Sequence, residues 1–202
     1  GRAFSFRSGA DILTQIECFG SKFAYANGNV EVGPFPGGSP KKGVILAVAK
    51  EMRKFGLEVG AIGEIEGSIG RGNSYSKNGL RIIEEIAGDN STFVNDGRIF
   101  VLKDQEAVRG DVVEVTSETG LLGTPIREQN RLSFDMLFEP QLLPGQKLVL
   151  NSRTNKSYNQ AYKVYTVNHS GTISESVAGS ATTTVGLVYG GGDLKTISQA
   201  GI

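Results

Sequence analysis

Apolar and polar residues alternate with a period of two in the C-terminal part of the chain. In the segment at residues 131–138, Leu132 and Phe134 share one face while Ser133 lies on the other. Alternation of this kind is typical of a strand with one buried face. Further segments suited to strands are residues 112–116, 147–151, 160–168 and 182–189. Turn residues separate these segments, so residues 109–189 are predicted to form an antiparallel β-barrel or sandwich.

The period changes to that of a helix between residues 39 and 108. Ser39 is a good N-cap, and apolar residues then recur at helical spacing until Gly56, which is placed to end the helix. A second helix is predicted at residues 76–87. The Asn-Asp-Gly run at residues 95–97 lies between two apolar runs and is a strong hairpin signal. The pattern predicts a small α+β module of two helices and a few strands.

The two ends of the chain complete the predicted organisation. Within residues 1–38, strand-like runs occur at residues 12–19, 22–25 and 30–32, and an Asn-Gly step before the last run is typical of a tight hairpin turn. We expect these strands to complete the barrel formed by residues 109–189. The α+β module would then be inserted in the barrel or would adjoin it. Residues 190–202 begin with three glycines and are predicted to be a flexible tail. The predicted fold class is α+β and rich in β structure.

Charge and composition limit the kinds of molecule that the protein is expected to bind. The 202 residues include 21 basic and 21 acidic side chains, so the formal net charge is zero. A dedicated nucleic-acid binder carries a basic excess, because phosphate contacts supply most of its affinity. Direct, sequence-specific binding of nucleic acid is therefore not expected. No segment approaches the ~20 apolar residues of a membrane-spanning helix, so no membrane partner is expected either.

A glycine-rich loop and two carboxylate pairs are the first candidates for chemistry. The loop at residues 67–72 lacks the Gly-Lys-Ser/Thr ending of a P-loop and the glycine spacing of a dinucleotide site. Glu84 and Glu85 are adjacent on a predicted helix, so their side chains diverge. Glu64 and Glu66 share one face of an extended segment, as solvated strand edges often do. None of them is predicted to be catalytic or to bind a cofactor.

Cys18 and His169 are each the one residue of their kind. A single cysteine permits no intrachain disulfide, and His169 lies in a distant strand, so a cysteine–histidine nucleophile is not expected. One histidine without neighbouring ligands does not predict a zinc site. Cys18 is predicted to be a small buried hydrophobe and His169 a hydrogen-bonded structural residue. The sequence thus predicts no catalytic, cofactor-binding or metal-binding residue and no cofactor, and the protein is not expected to be an enzyme.

Three charged residues near a turn are candidates for contacts between subunits. Arg127, Glu128 and Arg131 follow a Gly-Thr-Pro turn and are placed to form intersubunit ion pairs. An ordinary solvated loop explains them equally well, since an exposed pair contributes only ~0–1 kcal/mol. Both interpretations stay open at this point.

Several runs occur in an order that resembles a known family. ETGLLGTP at residues 118–125 is followed by a strand ending at Pro140, a Pro-Gly step at residues 144–145 and YKVYTVNHSG at residues 162–171. This order resembles the C-terminal half of the tail or baseplate hub proteins of tailed bacteriophages. The run GADILTQIE at residues 9–17 is similar to a strand that the family reaches after its first small domain. The resemblance implies a fragment of about the C-terminal two-thirds of a hub protein, with an N-terminal barrel upstream.

The resemblance also implies a structural role without catalysis. Hub proteins of this family look like homotrimers whose subunits each have two barrels similar to a tail-tube subunit. Three copies then make a ring of pseudo-sixfold symmetry, which matches a sixfold tail tube above and a threefold spike below. The implied partners are two further copies of the chain, tail-tube or tube-initiator proteins and the central spike protein. The implied location is the virion tail or baseplate, assembled in the host bacterial cytoplasm.

Two other classes of function stay open at the sequence level. A carbohydrate-binding adhesin would use Tyr158, Tyr162 and Tyr165 as stacking rings, but Tyr162 and Tyr165 point to opposite faces of one strand. A cell-wall-degrading tail protein would need an acid, a nucleophile or a metal cluster. No such cluster is recognisable along the chain.

Overall fold

The computed structural model describes residues 2–9, 11–18, 20–129, 131–171, 179–188 and 193–199. The strands within them are β1 (Arg2–Ser8), β2 (Asp11–Glu17), β3 (Asn29–Phe35), β4 (Glu58–Ile62), β5 (Asn73–Asn78), β6 (Ser91–Asn95), β7 (Arg98–Leu102), β8 (Glu106–Thr116), β9 (Leu121–Glu128), β10 (Arg131–Leu137), β11 (Gln146–Asn151), β12 (Gln160–Gly171), β13 (Ala181–Val188) and β14 (Lys195–Ile197). The helices are α1 (Lys22–Asn27), α2 (Lys41–Glu51) and α3 (Gly79–Ala87), with 3₁₀ turns at Met52–Phe55 and Lys156–Tyr158. The described chain is thus mostly β with few helices, as the sequence predicts.

Residues 29–102, here called the middle module, fold around a main apolar core, beside a smaller cluster that Ala61, Phe100 and Leu102 form with Val108 of β8. Helix α2 packs against α3 and also contacts β3 and β4. Ile45 and Val48 of α2 and Ile83 of α3 are completely buried in this core, as their helical spacing predicts. A three-stranded sheet places β7 between parallel β4 and antiparallel β6, while β3 and β5 form a separate antiparallel pair. Both predicted helices are therefore present.

The predicted residue ends the helical segment at the C-terminus of α2, but the predicted N-cap is wrong. The Ser39 hydroxyl donates to the Pro36 carbonyl at 2.8 Å, so it does not cap α2, which begins at Lys41. At the other end, Gly56 has φ +78°, which ends the 3₁₀ turn after α2 as predicted. A positive φ of this size strains residues that carry a Cβ, so glycine suits this position.

Helix α3 begins three residues later than predicted. Strand β5 continues through Ser76 to Asn78, because its pairing with β3 supplies the backbone hydrogen bonds that a helix would otherwise need. The Asn78 side-chain oxygen then accepts from the amides of Leu80 and Arg81 at 3.1 and 3.4 Å. Asn78 is therefore the N-cap of α3, which starts at Gly79.

The predicted hairpin of the middle module is confirmed. β6 and β7 pair in antiparallel register with Asn95 opposite Arg98. The two residues between them, Asp96 and Gly97, have φ values of 46° and 68°. Positive φ at both central residues matches the right-handed twist of the flanking strands, which explains the preference for an Asp-Gly step here.

Seven strands of the C-terminal region form the largest sheet. Their order is β14-β8-β11-β12-β13-β10-β9, with β8 parallel to β11 and β14 and the other neighbours antiparallel. Leu132, Phe134 and Met136 of β10 face a core shared with Tyr162 and Leu187, which confirms the predicted alternation. Among the described residues β14 and β9 do not pair, so the predicted closure into a barrel is not confirmed. The prediction that the pairing is antiparallel throughout is wrong at β8, which runs parallel to β11 and β14. The chain between β8 and β11 crosses to the other edge of the sheet through β9 and β10 before it returns beside β8.

The N-terminal strands pair differently from the prediction. β1 pairs with β2 in a hairpin of its own, and β3 pairs with β5, so none of the three joins the seven-stranded sheet. Residues 22–25, predicted as a strand, belong to α1, because Ala24 is buried and the Gly28 amide donates to the Ala24 carbonyl at 2.9 Å. The Asn27-Gly28 step therefore ends a helix and does not form a hairpin turn.

Part of the predicted flexible tail is ordered as a strand. β14 pairs in parallel register with the start of β8, and the Lys195 amide donates to the Gln105 carbonyl at 2.9 Å. The neighbouring Leu194 is 8% exposed, so its burial helps to hold the strand in place. Residues 190–192 and 200–202 of the predicted tail lie outside the described residues.

Candidate functional site: interaction surfaces

A buried carboxylate joins the middle module to the seven-stranded sheet. Glu106, at the start of β8, is 3% exposed. Its two oxygens accept from the amides of Glu64 and Lys103, each at 2.9 Å. A Cβ at Gly63 would lie 1.8 Å from Glu106 Oε2, so the absence of a side chain there makes room for the carboxylate. One acidic group thus holds the chain after β4 and the chain after β7 against β8.

Lys163 of β12 also takes part in this contact between the middle module and the seven-stranded sheet, which is called the junction below. Its side chain is almost completely buried, and Nζ donates to the Lys103 carbonyl at 2.8 Å. Burial lowers the pKa of Lys163, while the charges of Asp104 and Glu106 oppose that shift. The peptide groups of Lys103 are therefore bound on both sides, by Glu106 and by Lys163. The junction fixes the middle module onto the sheet.

Glu64 and Glu66 do not converge on a common site. Glu64 pairs with Lys195 at 2.7 Å, and Glu66 pairs with Lys103. The hydrogen bond from Lys195 lowers the pKa of Glu64, and the hydrogen bond to Glu66 raises the pKa of Lys103. Each carboxylate is exposed and has a lysine of its own, so the pair lacks the shared, desolvated setting that a catalytic acid needs.

Glu84 and Glu85 diverge as predicted. Glu85 forms an ion pair with Lys77. Glu84 faces Tyr25 instead, where partial burial of the phenol and the nearby charge together raise the pKa of Tyr25. The two carboxylates therefore act on different neighbours.

The glycine-rich loop at residues 67–72 is tied to the start of α2. The carbonyl oxygens of Gly67 and Ile69 accept from the amides of Lys41 and Gly38 at 3.0 and 2.8 Å, and the Ile69 amide donates to the Ser39 carbonyl. A phosphate cradle needs amide groups pointing at an open space. This loop uses its backbone groups to close the turn before α2, so its role is structural.

Cys18 and His169 are both exposed and far from a cluster of reactive groups. His169 Nδ1 is 2.9 Å from the Thr183 hydroxyl, and its ring meets the edge of Phe138, so the predicted hydrogen bond is present. The prediction that Cys18 is buried is wrong: Cys18 is exposed and follows a hairpin whose main contacts are between its own two strands. In the part of the chain that the structure describes, no group of His, Cys, Asp or Glu side chains is arranged to hold a metal ion.

The three tyrosines do not form a common platform. Tyr162 is completely buried, and its hydroxyl donates to the Tyr158 carbonyl at 2.9 Å. Tyr165 is 43% exposed, but the Arg131 guanidinium lies 4.7 Å from its ring centroid. A sugar would have to displace this cation before it could stack on the ring.

The outer face of β9 carries an exposed apolar surface. Leu122 and Ile126 lie on the face of β9 opposite the sheet core, with Glu128 in line beyond them, as their partners on β10 show. Ile126 is 62% exposed. These three residues are called the β9 surface below. The sequence prediction missed it, because Pro125 and two glycines made the run at residues 118–125 look like a turn.

The β1–β2 hairpin is a second exposed apolar surface. Its strands pair over seven residues each, and Phe4 and Phe6 lie on one face with ring centroids 6.4 Å apart. Ile12 and Ile16 lie on the other face and are 75% and 67% exposed. The alternation of this segment was visible in the sequence, but its lack of cover was not.

The described residues therefore offer surfaces for protein contact and no cleft with converging ionisable groups. No helix among them is both long and apolar enough to cross a bilayer. The C-terminal region is built from strands, as predicted. Of the three charged candidates, Glu128 belongs to the β9 surface and Arg127 lies on the opposite face of β9. Arg131 lies opposite Glu128 on β10, with its guanidinium over the Tyr165 ring.

Comparison with known proteins agrees with this picture. The family model of baseplate hub gp41 matches residues 39–173. Among solved structures, the tail protein from Neisseria meningitidis MC58 is similar, with a TM-score of 0.56 and 9% sequence identity. The superposition covers 95% of this chain and 79% of that chain, and at this identity it shows the fold alone. A search of curated proteins finds no match.

Proposed function

This chain belongs to the baseplate hub gp41 family, and we propose that it is the subunit of a ring that adapts a sixfold tail tube to a threefold central spike. The family match and the similar fold of a tail protein support a role as a structural component of a phage tail. The proposed ring is a homotrimer in the virion, assembled in the cytoplasm of the host. Its partners are two further copies of the chain, tail-tube or tube-initiator proteins and the spike protein.

The open seven-stranded sheet is the observation that favours assembly. Its outermost strand β9 exposes Leu122 and Ile126, whereas the opposite face of the same sheet carries a buried apolar core. Apolar residues exposed in this way on a rigid sheet mark a contact surface. In the proposed ring, a neighbouring copy packs on this exposed face of β9, so the tail-tube-like wall is completed by contacts between subunits.

The proposed role needs no catalysis. The buried charged residues Glu106 and Lys163 both serve the junction between the middle module and the sheet. That junction gives each subunit a fixed shape, which a ring with defined symmetry requires. No observation favours the adhesin or the cell-wall-degrading protein over this role.

Electron microscopy of the complete tail tests the proposal. An antibody fragment against this chain should label the baseplate end of the tail, at the base of the tube. The purified chain, together with tube and spike proteins, should form rings with a central hole and the mass of three copies. Labelling elsewhere on the virion, or a mass of one copy in the presence of both partner proteins, would contradict the proposed function.

A further inference from the structure

The β1–β2 hairpin cannot owe its order to its own contacts alone. An isolated two-stranded hairpin is marginally stable at best in water. The face that carries Ile12 and Ile16 has one side-chain hydrogen bond, between Ser5 and Thr14 at 2.8 Å, and both isoleucines are mostly exposed. A second surface that covers this face would supply the missing stabilisation.

The apolar residues exposed on two separate surfaces also indicate a missing partner. Ile12 and Ile16 are 75% and 67% exposed, and Leu122 and Ile126 are 37% and 62% exposed. Apolar residues grouped on an exposed surface mark a site of protein contact.

We propose that the isoleucine face of the hairpin docks on the β9 surface of a second copy of this chain. This contact rests on the proposed assembly into a ring, and it names the two surfaces that meet. Ile12 and Ile16 are four residues apart on a regularly paired strand. Leu122 and Ile126 lie opposite Asp135 and Ser133, which are only two residues apart, because β9 bulges between them. The two apolar side chains of the β9 surface are therefore closer together than the isoleucines and can pack between them.

Charge complementarity selects this pair of surfaces. Arg7 lies directly opposite Ile12 on the isoleucine face, and Glu128 extends the line of Leu122 and Ile126 on the β9 surface. Both are exposed. Arg131 lies opposite Glu128 on β10, but its guanidinium stacks on the Tyr165 ring. The salt bridges among the described residues involve neither Arg7 nor Glu128. Docking places the cation beside one apolar pair against the anion next to the other, which fixes register and partner.

The contact is face to face and not edge to edge. The pairing of β9 with β10 shifts register between Ser133 and Asp135, so β9 holds extra residues there, and Pro125 lies among them without an amide proton. A bulge and a proline both block the addition of a strand to an edge. The outer side chains of β9 remain available, and they are the apolar ones.

The geometry is heterologous, because one copy contributes the hairpin and the next contributes β9. A contact of this type repeats from one copy to the next, and it closes into a ring when the rotation per copy completes a circle, as the proposed threefold ring requires. The second copy is therefore the occupant, and both halves of the contact are present on every chain.

Charge reversal tests the contact without disturbing any core. Arg7→Glu and Glu128→Arg should each raise the dissociation constant of the assembly about tenfold at low salt. The double variant should restore it to within about threefold of the natural chain, because the pair is re-formed in reverse. Analytical ultracentrifugation of the full chain measures all four proteins. Two single variants that assemble normally, or a double variant without rescue, would overturn the proposed contact.

Apolar substitutions supply the matched control. Ile16→Ser should weaken assembly about tenfold, whereas Phe23→Ser, with similar exposure on α1 (66% against 67%), should leave it unchanged. Circular dichroism checks that both variants fold. Equal effects of the two substitutions would overturn the contact, as would a natural chain that stays monomeric at every concentration. The proposed function fails separately, if labelling places the chain away from the baseplate.

Discussion

The β1–β2 hairpin and the middle module contain the same kinds of apolar residue and expose them in opposite ways. Ile45 and Ile83 of the module are completely buried, whereas Ile12 and Ile16 of the hairpin are mostly exposed. Both segments have regular alternation or helical spacing in the sequence. Periodicity therefore identifies the apolar face of an element, but the rest of the fold decides whether that face is covered. The module's apolar residues hold the subunit together, and those of the hairpin are available for assembly.

The largest expected effect is a difference in the free energy of unfolding between aspartate substitutions in the middle module and in the hairpin. Ile83→Asp places a carboxylate in the core of the module and should cost more than about 4 kcal/mol, enough to unfold it. Ile12→Asp changes an exposed residue and should alter the free energy of unfolding by less than about 0.5 kcal/mol. Urea denaturation followed by circular dichroism measures both. Similar losses for the two variants would mean that the hairpin belongs to the same core as the module.

A glycine substitution at the junction gives the next largest effect. A Cβ at residue 63 would overlap the Glu106 carboxylate, so Gly63→Ala should destabilise the chain by about 2–3 kcal/mol. Gly43→Ala is the matched control, because a Cβ at Gly43 meets no atom within 4 Å and the residue lies in α2. That control should stabilise the chain by about 0.5–1 kcal/mol. A neutral Gly63→Ala variant would show that the carboxylate can move without loss.

Sequence reasoning recovered the elements that depend on local signals. The Asp-Gly turn at Asp96 and the strand around Phe134 are where the pattern places them, because turn geometry and alternation act over a few residues. Glu106 was not identified, since nothing in its neighbourhood along the chain shows that Gly63 leaves room for a carboxylate. That contact depends on residues that are distant in sequence and meet only after folding.

The errors at β9 and α1 have one cause in common. Pro125 lowers the strand propensity of β9, and the run that begins at Lys22 has alternating apolar residues suited to a strand. In both places tertiary packing outweighs local preference: β10 supplies a partner for β9, and the burial of Ala24 favours a helix. The interaction surfaces were invisible for the same reason, since exposure is a property of the whole fold.

Substitutions of Asn78 test whether helix α1 is part of the middle module or can open independently of it. Its side-chain oxygen caps α3, and its nitrogen donates to the carbonyls of Ala24 and Tyr25 at 3.0 and 3.1 Å. Asn78→Ala removes both functions and should cost about 1–2 kcal/mol. Asn78→Asp keeps the cap acceptor but cannot donate to α1, so in hydrogen exchange it should expose α1 while α3 stays protected. Equal exposure of both helices would show that α1 is an integral part of the module.

The smallest effect concerns Lys163 and appears as a dependence on pH. Because burial lowers its pKa from the usual 10.5, the unfolded chain binds more protons than the folded chain between the lowered pKa and 10.5. Stability therefore rises with pH through that window. Lys163→Met removes the titrating group, so the stability of the natural chain relative to this variant should increase between neutral pH and about pH 10.

The midpoint of urea unfolding at the two pH values measures this difference. Near neutral pH the variant should lie within about 1 kcal/mol of the natural chain, because the lost hydrogen bond to Lys103 is offset by the removal of a buried charge. If the difference in stability between the natural chain and Lys163→Met is the same at both pH values, the ammonium group of Lys163 is hydrated in solution. The junction would then hold the middle module less tightly than its buried contacts indicate.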